Sequence, residues 1–349
     1  MQDSSAIRAQ NIARDTALTA NGEDDMSKTI ETLHLNTVIT NHTMDMTGRT
    51  AAVTGTTSGT GYVCARELAR RGATVLLLNR ASGRSDASLS SLREAVPGAT
   101  FVPITCDLQS FESVRAATAQ ITDGYDRLDV LCNNAGVMAL PDAATQDGYD
   151  VQMQTNCISH FLLTRELLPL LRKSDDARIV NHSSGARRGP DLESKFFGEN
   201  GGDLGGDGTD TENASFSGPR WHRYQQTKLA NCAFTYGLKS KLDAAGVANV
   251  KAVVAHPGLA ATSLQVTTAE TGGMDASSDF MLQAQSQEDG ALGIIRGCMD
   301  PGVASGDFFG PTGWTGFPEK LPPEPALSST HNIDVNWAGC EAAVGKFTI

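Results

Sequence analysis

The sequence predicts a single α/β domain on a doubly wound, Rossmann-type parallel sheet, with six to seven strands and helices on both faces. Three observations carry this. From Arg49 onward short apolar runs alternate with helix-periodic stretches. The run "ATVLLLNR" (73–80) is continuously apolar over its central residues, as in a strand buried on both faces of a parallel sheet. "TGTTSGTG" (54–61) sets glycines between the first strand and the first helix, where such sheets bind phosphates.

"RTAAVTG" is the first strand, and "YVCARELARRG" the first helix, closing on Gly72 as its C-cap. Further strands are expected at 73–80, 99–107, 128–136, 177–185 and 250–258, with a seventh at "GDFFGP". Helical stretches lie at about 110–121, 150–172 and 224–244. Two segments break the rhythm. Residues 1–46 are polar and without periodicity, and are expected to form a flexible tail ahead of a 47–349 catalytic domain. Residues 185–223 form a Gly/Asp-rich insertion, too long for a simple loop, that is either solvated or a lid.

The chain has 349 residues, 40% apolar and 19% charged, as in soluble globular proteins. A net charge of −12 argues against nucleic acid and anionic membrane surfaces as partners. The seven cysteines are dispersed and no CxxC occurs, so free thiols in a reducing compartment are expected and no metal site. No run approaches the roughly 20 apolar residues of a membrane span. A cytoplasmic location is expected, with organelle targeting by the acidic N-terminal segment left open.

Gly55, Gly59 and Gly61, with Thr57 and Ser58 between them, permit a tight turn and close backbone approach to a pyrophosphate at a helix N-terminus. The spacing is not GxGxxG, and no Lys-Ser or Lys-Thr follows as a triphosphate loop needs. The second strand ends in Asn79 and Arg80, with Arg84 nearby, where an NAD binder carries an acid. A neutral side chain followed by a cation suits a 2′-phosphate, so NADP(H) is favoured over NAD(H). Asp107, before Leu108, can accept from the adenine amino group or cap the next helix. Asn134, Ala135 and Gly136 end the fourth strand, where small residues let the backbone lie against a ribose. In "HRYQQTKLAN" (222–231) Tyr224 and Lys228 share one helix face. A surface tyrosine beside a solvated lysine is the plain alternative.

In this order, TGTTSGTG, CDL (106–108), NNAG, Asn156 in "QTNCISHF", Ser184 in "IVNHSSG" and the Tyr224/Lys228 pair resemble the short-chain dehydrogenase/reductase superfamily. "RYQQTKLAN", "HPG" (256–258) and "EDGALGII" are most similar to its retinol-dehydrogenase and WW-domain-oxidoreductase-like group. The resemblance runs from about Thr47 to the C-terminus. It implies hydride transfer between a nicotinamide and a carbonyl or alcohol carbon. Tyr224 is the implied general acid/base and Ser184 holds the substrate oxygen, with Ser183 its rival. Asn156 supports a water-linked proton path. Lys228 lowers the tyrosine pKa from about 10 and bonds the nicotinamide ribose. Pro257, Gly258 and Thr262 contact the nicotinamide end. His256 is expected to be structural, and Trp314 and Trp337 core or pocket wall. Residues 259–285 are expected to cover the substrate.

Two other readings share the fold: a non-catalytic cofactor-sensing scaffold, and a C=C reductase like light-dependent protochlorophyllide reductase. The apolar helices at 150–172 and 224–244 can pair subunits into a dimer or tetramer, or pack on the sheet.

Overall fold

The computed structural model describes residues 30–206, 216–274, 279–322 and 324–349. Its core is an eight-stranded sheet in the order β3-β2-β1-β4-β5-β6-β7-β8. The strands are β1 (Thr50–Thr54), β2 (Thr74–Asn79), β3 (Phe101–Thr105), β4 (Val130–Asn133), β5 (Ala177–His182), β6 (Val250–Ala255), β7 (Phe308–Gly310) and β8 (Glu319–Lys320). Seven strands run parallel, and β8 pairs antiparallel with β7. The expected seventh strand is therefore present. The eighth, two exposed polar residues, has no apolar pattern to betray it.

Side-chain alternation sorts the strands onto two cores. Ala52, Leu76, Leu78, Leu131, Ile179 and Val254 face one helical layer. Val53, Val75, Leu77, Val130, Val180 and Val253 face the other. Such two-sided burial is why the strands read as unbroken apolar runs. The strand order reverses at the β1/β4 junction, where carboxyl-edge loops part and leave a crevice.

Several expectations are corrected. Part of the proposed flexible tail is packed: helix α1 (Leu35–Asn41) buries Val38, and Met46 is also wholly buried. The Asp289 carboxylate accepts from the backbone N–H groups of Leu33 and His34. Residues 1–29, the rest of that tail, lie outside the described residues. The described part of the 185–223 insertion packs at several points and also lines the cavity, through Gly185, Ala186, Arg188, Phe216 and Trp221. Leu192, Phe196 and Phe197 join the main core, and Phe197 lies flat where a side chain on Gly339 would collide. Residues 207–215 lie outside the described residues, as do 275–278 of the segment expected to cover the substrate.

The helix bearing Tyr224 starts earlier than expected, at Gly218, and runs to Ala244. Pro219 in its first turn explains the start, because proline lacks an N–H that has no partner there anyway. The stretch expected to be helical at 150–172 opens with one α-turn and a π-helical turn, Gln154–Ile158, before a regular helix (Ser159–Leu171). Among the described residues no helix is long and apolar enough to cross a membrane. All seven cysteines are free and buried.

Candidate active site

A cavity of about 1130 Å³ opens over the carboxyl edge of the sheet. Its floor is the glycine turn between β1 and helix α2 (Gly59–Arg70). The need for glycine is steric at two points. A Cβ on Gly55 would lie 2.8 Å from the Ala135 side chain, and φ there is +70°. A Cβ on Gly61 would lie 2.2 Å from the Gly55 carbonyl oxygen. Gly61 thus packs the helix against the turn and does not itself line the cavity. Ser58 caps the helix without a side-chain cap bond, leaving the first-turn N–H groups directed at the cleft.

Thr57, Ser58, Gly59, Asn79, Arg80, Asp107, Leu108, Ala135, Gly136, Pro257, Gly258 and Thr262 line the cavity as expected. Some are engaged internally. Asn79 Oδ1 accepts from Thr56 N–H and its Nδ2 donates to Thr56 Oγ1, so it braces the glycine turn. Asp107 accepts from Gln109 N–H, the capping alternative. Thr262 caps the helix Ser263–Glu270 in a reciprocal box with Gln265. Asn134 fastens three strands: its Nδ2 donates to the Thr54 and Gly55 carbonyls, while its Oδ1 accepts from Thr60 and faces His182 Nδ1.

Tyr224, Ser184 and Lys228 converge on the cavity. Ser184 stands beside the Tyr224 hydroxyl, close enough to lower its pKa. Ser184 Oγ accepts from Ala186 N–H, which leaves its proton for a second partner. Lys228 Nζ lies 5.6 Å from the Tyr224 ring centroid and donates to the His182 carbonyl. Ser183, the rival serine, is buried and donates to the Lys228 carbonyl.

One electrostatic expectation is reversed. Lys228 was expected to make Tyr224 acidic, but burial dominates among the protein's own groups. It pushes Tyr224 up to about 12, against a lowering by Ser184. Burial also brings Lys228 down to about 8.

Asn156 lies in the helical stretch after β4, where the sequence set it. It sits wholly buried in the π-turn, off the cavity lining. Its Oδ1 accepts from Val137 N–H, and its Nδ2 donates to the Val137 carbonyl and to Thr227. Its backbone carbonyl faces His160 Nδ1. Its side chain therefore holds the loop after β4. His256 fits the structural role: Nδ1 accepts from Gly258 N–H and burial brings the ring down to about 3. Trp337 is core, stacked on Phe347, whereas Trp314 is cavity wall and 61% exposed.

Sequence reasoning missed His182 and Arg188 as cavity residues; it set Phe216 and Trp221 beside the site and Trp314 as core or pocket wall, without joining them or finding Phe280. His182 lies two residues before Ser184, on the same strand face, and period-2 alternation could have found it. The wall runs from Tyr224 through Trp221, Phe216 and Phe280 to Trp314, with ring centroids 5.8, 4.9, 5.2 and 5.1 Å apart. It draws on three separate segments, which no local signal links. Sequence spacing likewise could not show that the Cys64, Cys132 and Cys298 sulfurs meet within 4.8 Å in the core.

The short chain dehydrogenase family profile matches residues 49–193. Retinol dehydrogenase 14 of Mus musculus is 37% identical over 230 residues, 63% of either chain. A short-chain dehydrogenase of Brassica napus, TIC 32 A, chloroplastic, is 35% identical over 64% of this chain and 67% of its own. An uncharacterized oxidoreductase of Schizosaccharomyces pombe is 35% identical, and this chain spans 62% of its length. Among solved structures, an uncharacterized protein from Mycobacterium Paratuberculosis superposes with a TM-score of 0.67 at 30% identity, covering 88% of this chain and 97% of that one. With the glycine turn, the Ser–Tyr–Lys cluster and these relatives together, the chain belongs to the short-chain dehydrogenase/reductase family.

Proposed function

We propose that the protein is an NADP(H)-dependent oxidoreductase interconverting a carbonyl with a primary or secondary alcohol. One observation carries the reading: Tyr224, with Ser184 beside it and Lys228 one helical turn away, lines the same cleft as the glycine turn. The residues suit a dinucleotide. The turn is stripped of Cβ atoms where a pyrophosphate would lie, and Arg80 and Arg84 line the end where a 2′-phosphate would sit.

The bound nicotinamide would supply or accept the hydride. In reduction, Tyr224 gives its phenolic proton to the carbonyl oxygen as the carbon gains hydride, so one proton and one hydride make the alcohol. Ser184 donates to the same oxygen and stabilises charge growing there. A phenol pushed up to about 12 is fully protonated at neutral pH, as an acid should be. Lys228 carries its charge below about pH 8 and loses it above, so reduction should decline as pH rises through that value. Asn156 and Thr227 position the lysine helix against the β4 loop.

The test is a panel of carbonyls and alcohols followed at the nicotinamide absorbance with NADPH and with NADH. Tyr224→Phe should lower kcat by about 10²–10⁴-fold with dinucleotide affinity retained. Equal turnover by that variant would overturn the mechanism. Arg80→Glu should shift preference toward NADH, and no shift would remove the assignment of the 2′-phosphate to Arg80.

A further inference from the structure

We propose that the substrate carries a carboxylate as well as its reactive carbonyl, and that Arg188 pairs with that carboxylate in the aromatic-walled pocket. This rests on the oxidoreductase reading above.

Charge within the cavity is the first observation. The chain as a whole carries −12. Yet among the described residues, the Lys, Arg, Asp and Glu side chains lining the cavity are Arg80, Arg84, Arg188 and Lys228 against Asp107. Arg80 and Asp107 follow β2 and β3 directly and Arg84 lies in the first turn of the helix Gly83–Ala95, at the far end of the sheet from the reactive hydroxyls. Lys228 stands beneath Tyr224. Among the described residues Arg188 is thus the remaining charged lining residue, and it follows the turn that Ser184 opens.

Its placement is the second observation. Ser184 leads into a single 3₁₀ turn, Gly185–Arg187, and Arg188 follows directly. The turn is pinned: Arg187 is wholly buried, donates to the Ser184 carbonyl and lies over the Phe308 ring. Arg188 by contrast is 64% exposed, and its guanidinium donates to Glu324 at 2.9 Å. Glu324 also accepts from Arg187, so one carboxylate serves two guanidiniums. Glu324 itself does not line the cavity. Arg188 therefore keeps donors for a second carboxylate, since guanidinium has five N–H groups in a planar fork.

The wall opposite is apolar. Met138, Trp221, Leu259, Met274 and Met281 join the aromatic series from Tyr224 to Trp314. An apolar body with a carbonyl at one point and a carboxylate at another would satisfy both the wall and Arg188. A neutral apolar carbonyl would leave Arg188 with Glu324 as its charged partner and give its other donors none.

The experiment compares matched carbonyl compounds, each as the free carboxylate and as its methyl ester, with NADPH. The wild-type protein is expected to favour the carboxylate in kcat/KM through KM, with the preference shrinking as salt rises. Arg188→Gln should lower the acid-over-ester ratio by about tenfold, as for loss of one charge-assisted bond at a partly exposed site. Arg188→Lys should keep part of the ratio. Glu324→Gln, which removes a competing carboxylate, should raise it. Dinucleotide binding by each variant, read by fluorescence, checks that it is folded. Turnover of both compounds with no acid preference, or a ratio unmoved by Arg188→Gln, overturns this proposal alone. Dinucleotide binding without turnover of any carbonyl overturns the oxidoreductase reading instead.

Discussion

Lys228 shows how a single residue sets function against stability. Its ammonium is nearly sealed from water, and burial brings its pKa down from 10.5 to about 8. A folded value below the unfolded one means that burying the charge opposes folding at every pH below about 8. The penalty is relieved as pH rises from about 8 to about 10.5, so stability from this group grows across that window. Lys228→Met should therefore melt at the same temperature as wild type or higher at pH 7, by up to about 3 kcal/mol. The His182 carbonyl that loses Nζ keeps its bond from Asn231. Turnover should fall by about 10²-fold or more, because among the described residues Lys228 is the cation placed against the Tyr224 ring. Calorimetry with a single-substrate assay checks both halves, and a less stable, active variant would show the lysine to be structural.

At the scale of elements, the site is a set of joints between neighbouring loops. The first helix can approach the glycine turn only because Gly61 has no side chain. Gly61→Ala would drive a methyl group into the Gly55 carbonyl and the Asn134 amide, costing about 1–3 kcal/mol. Nucleotide affinity should drop although residue 61 never meets the ligand, and titration calorimetry reads this directly. The π-turn works similarly. Asn156→Ala would strip partners from both the N–H and the carbonyl of Val137, costing about 2–4 kcal/mol of stability. Denaturant midpoints check that figure, and an unchanged midpoint would mean water replaces the amide.

Across the whole molecule, the segment before the first strand is part of the fold. Val38 and Met46 are sealed into the core beneath the sheet, and the main chain at 33–34 is tied to Asp289. Asp289 belongs to the short turn Gln287–Gly290, and a Cβ on Gly290 would press on Ala260 beside the cleft. Deleting residues 1–46 should lower Tm by several degrees, because burial of two large apolar side chains is lost. It should also weaken substrate binding more than a deletion of 1–29. Equal melting of the two truncated forms would show the arm to be an appendage.

Much was legible before any coordinates, and for one reason: local chemistry leaves local marks. Parallel strands buried on both faces must be apolar throughout, a turn against phosphate must be glycine, and one helical turn must separate a tyrosine from its lysine. Those constraints fixed the fold class, the glycine turn and the Tyr224–Lys228 spacing, while the family resemblance singled out Ser184. Tertiary structure alone decided what depends on residues far apart in sequence. It sent Asn156 to hold Val137 and buried Phe197 against Gly339. It also joined Phe216, Phe280 and Trp314 into one wall, and let burial outweigh the lysine at Tyr224. Desolvation and packing are sums over everything that surrounds a group, and no stretch of sequence holds that sum.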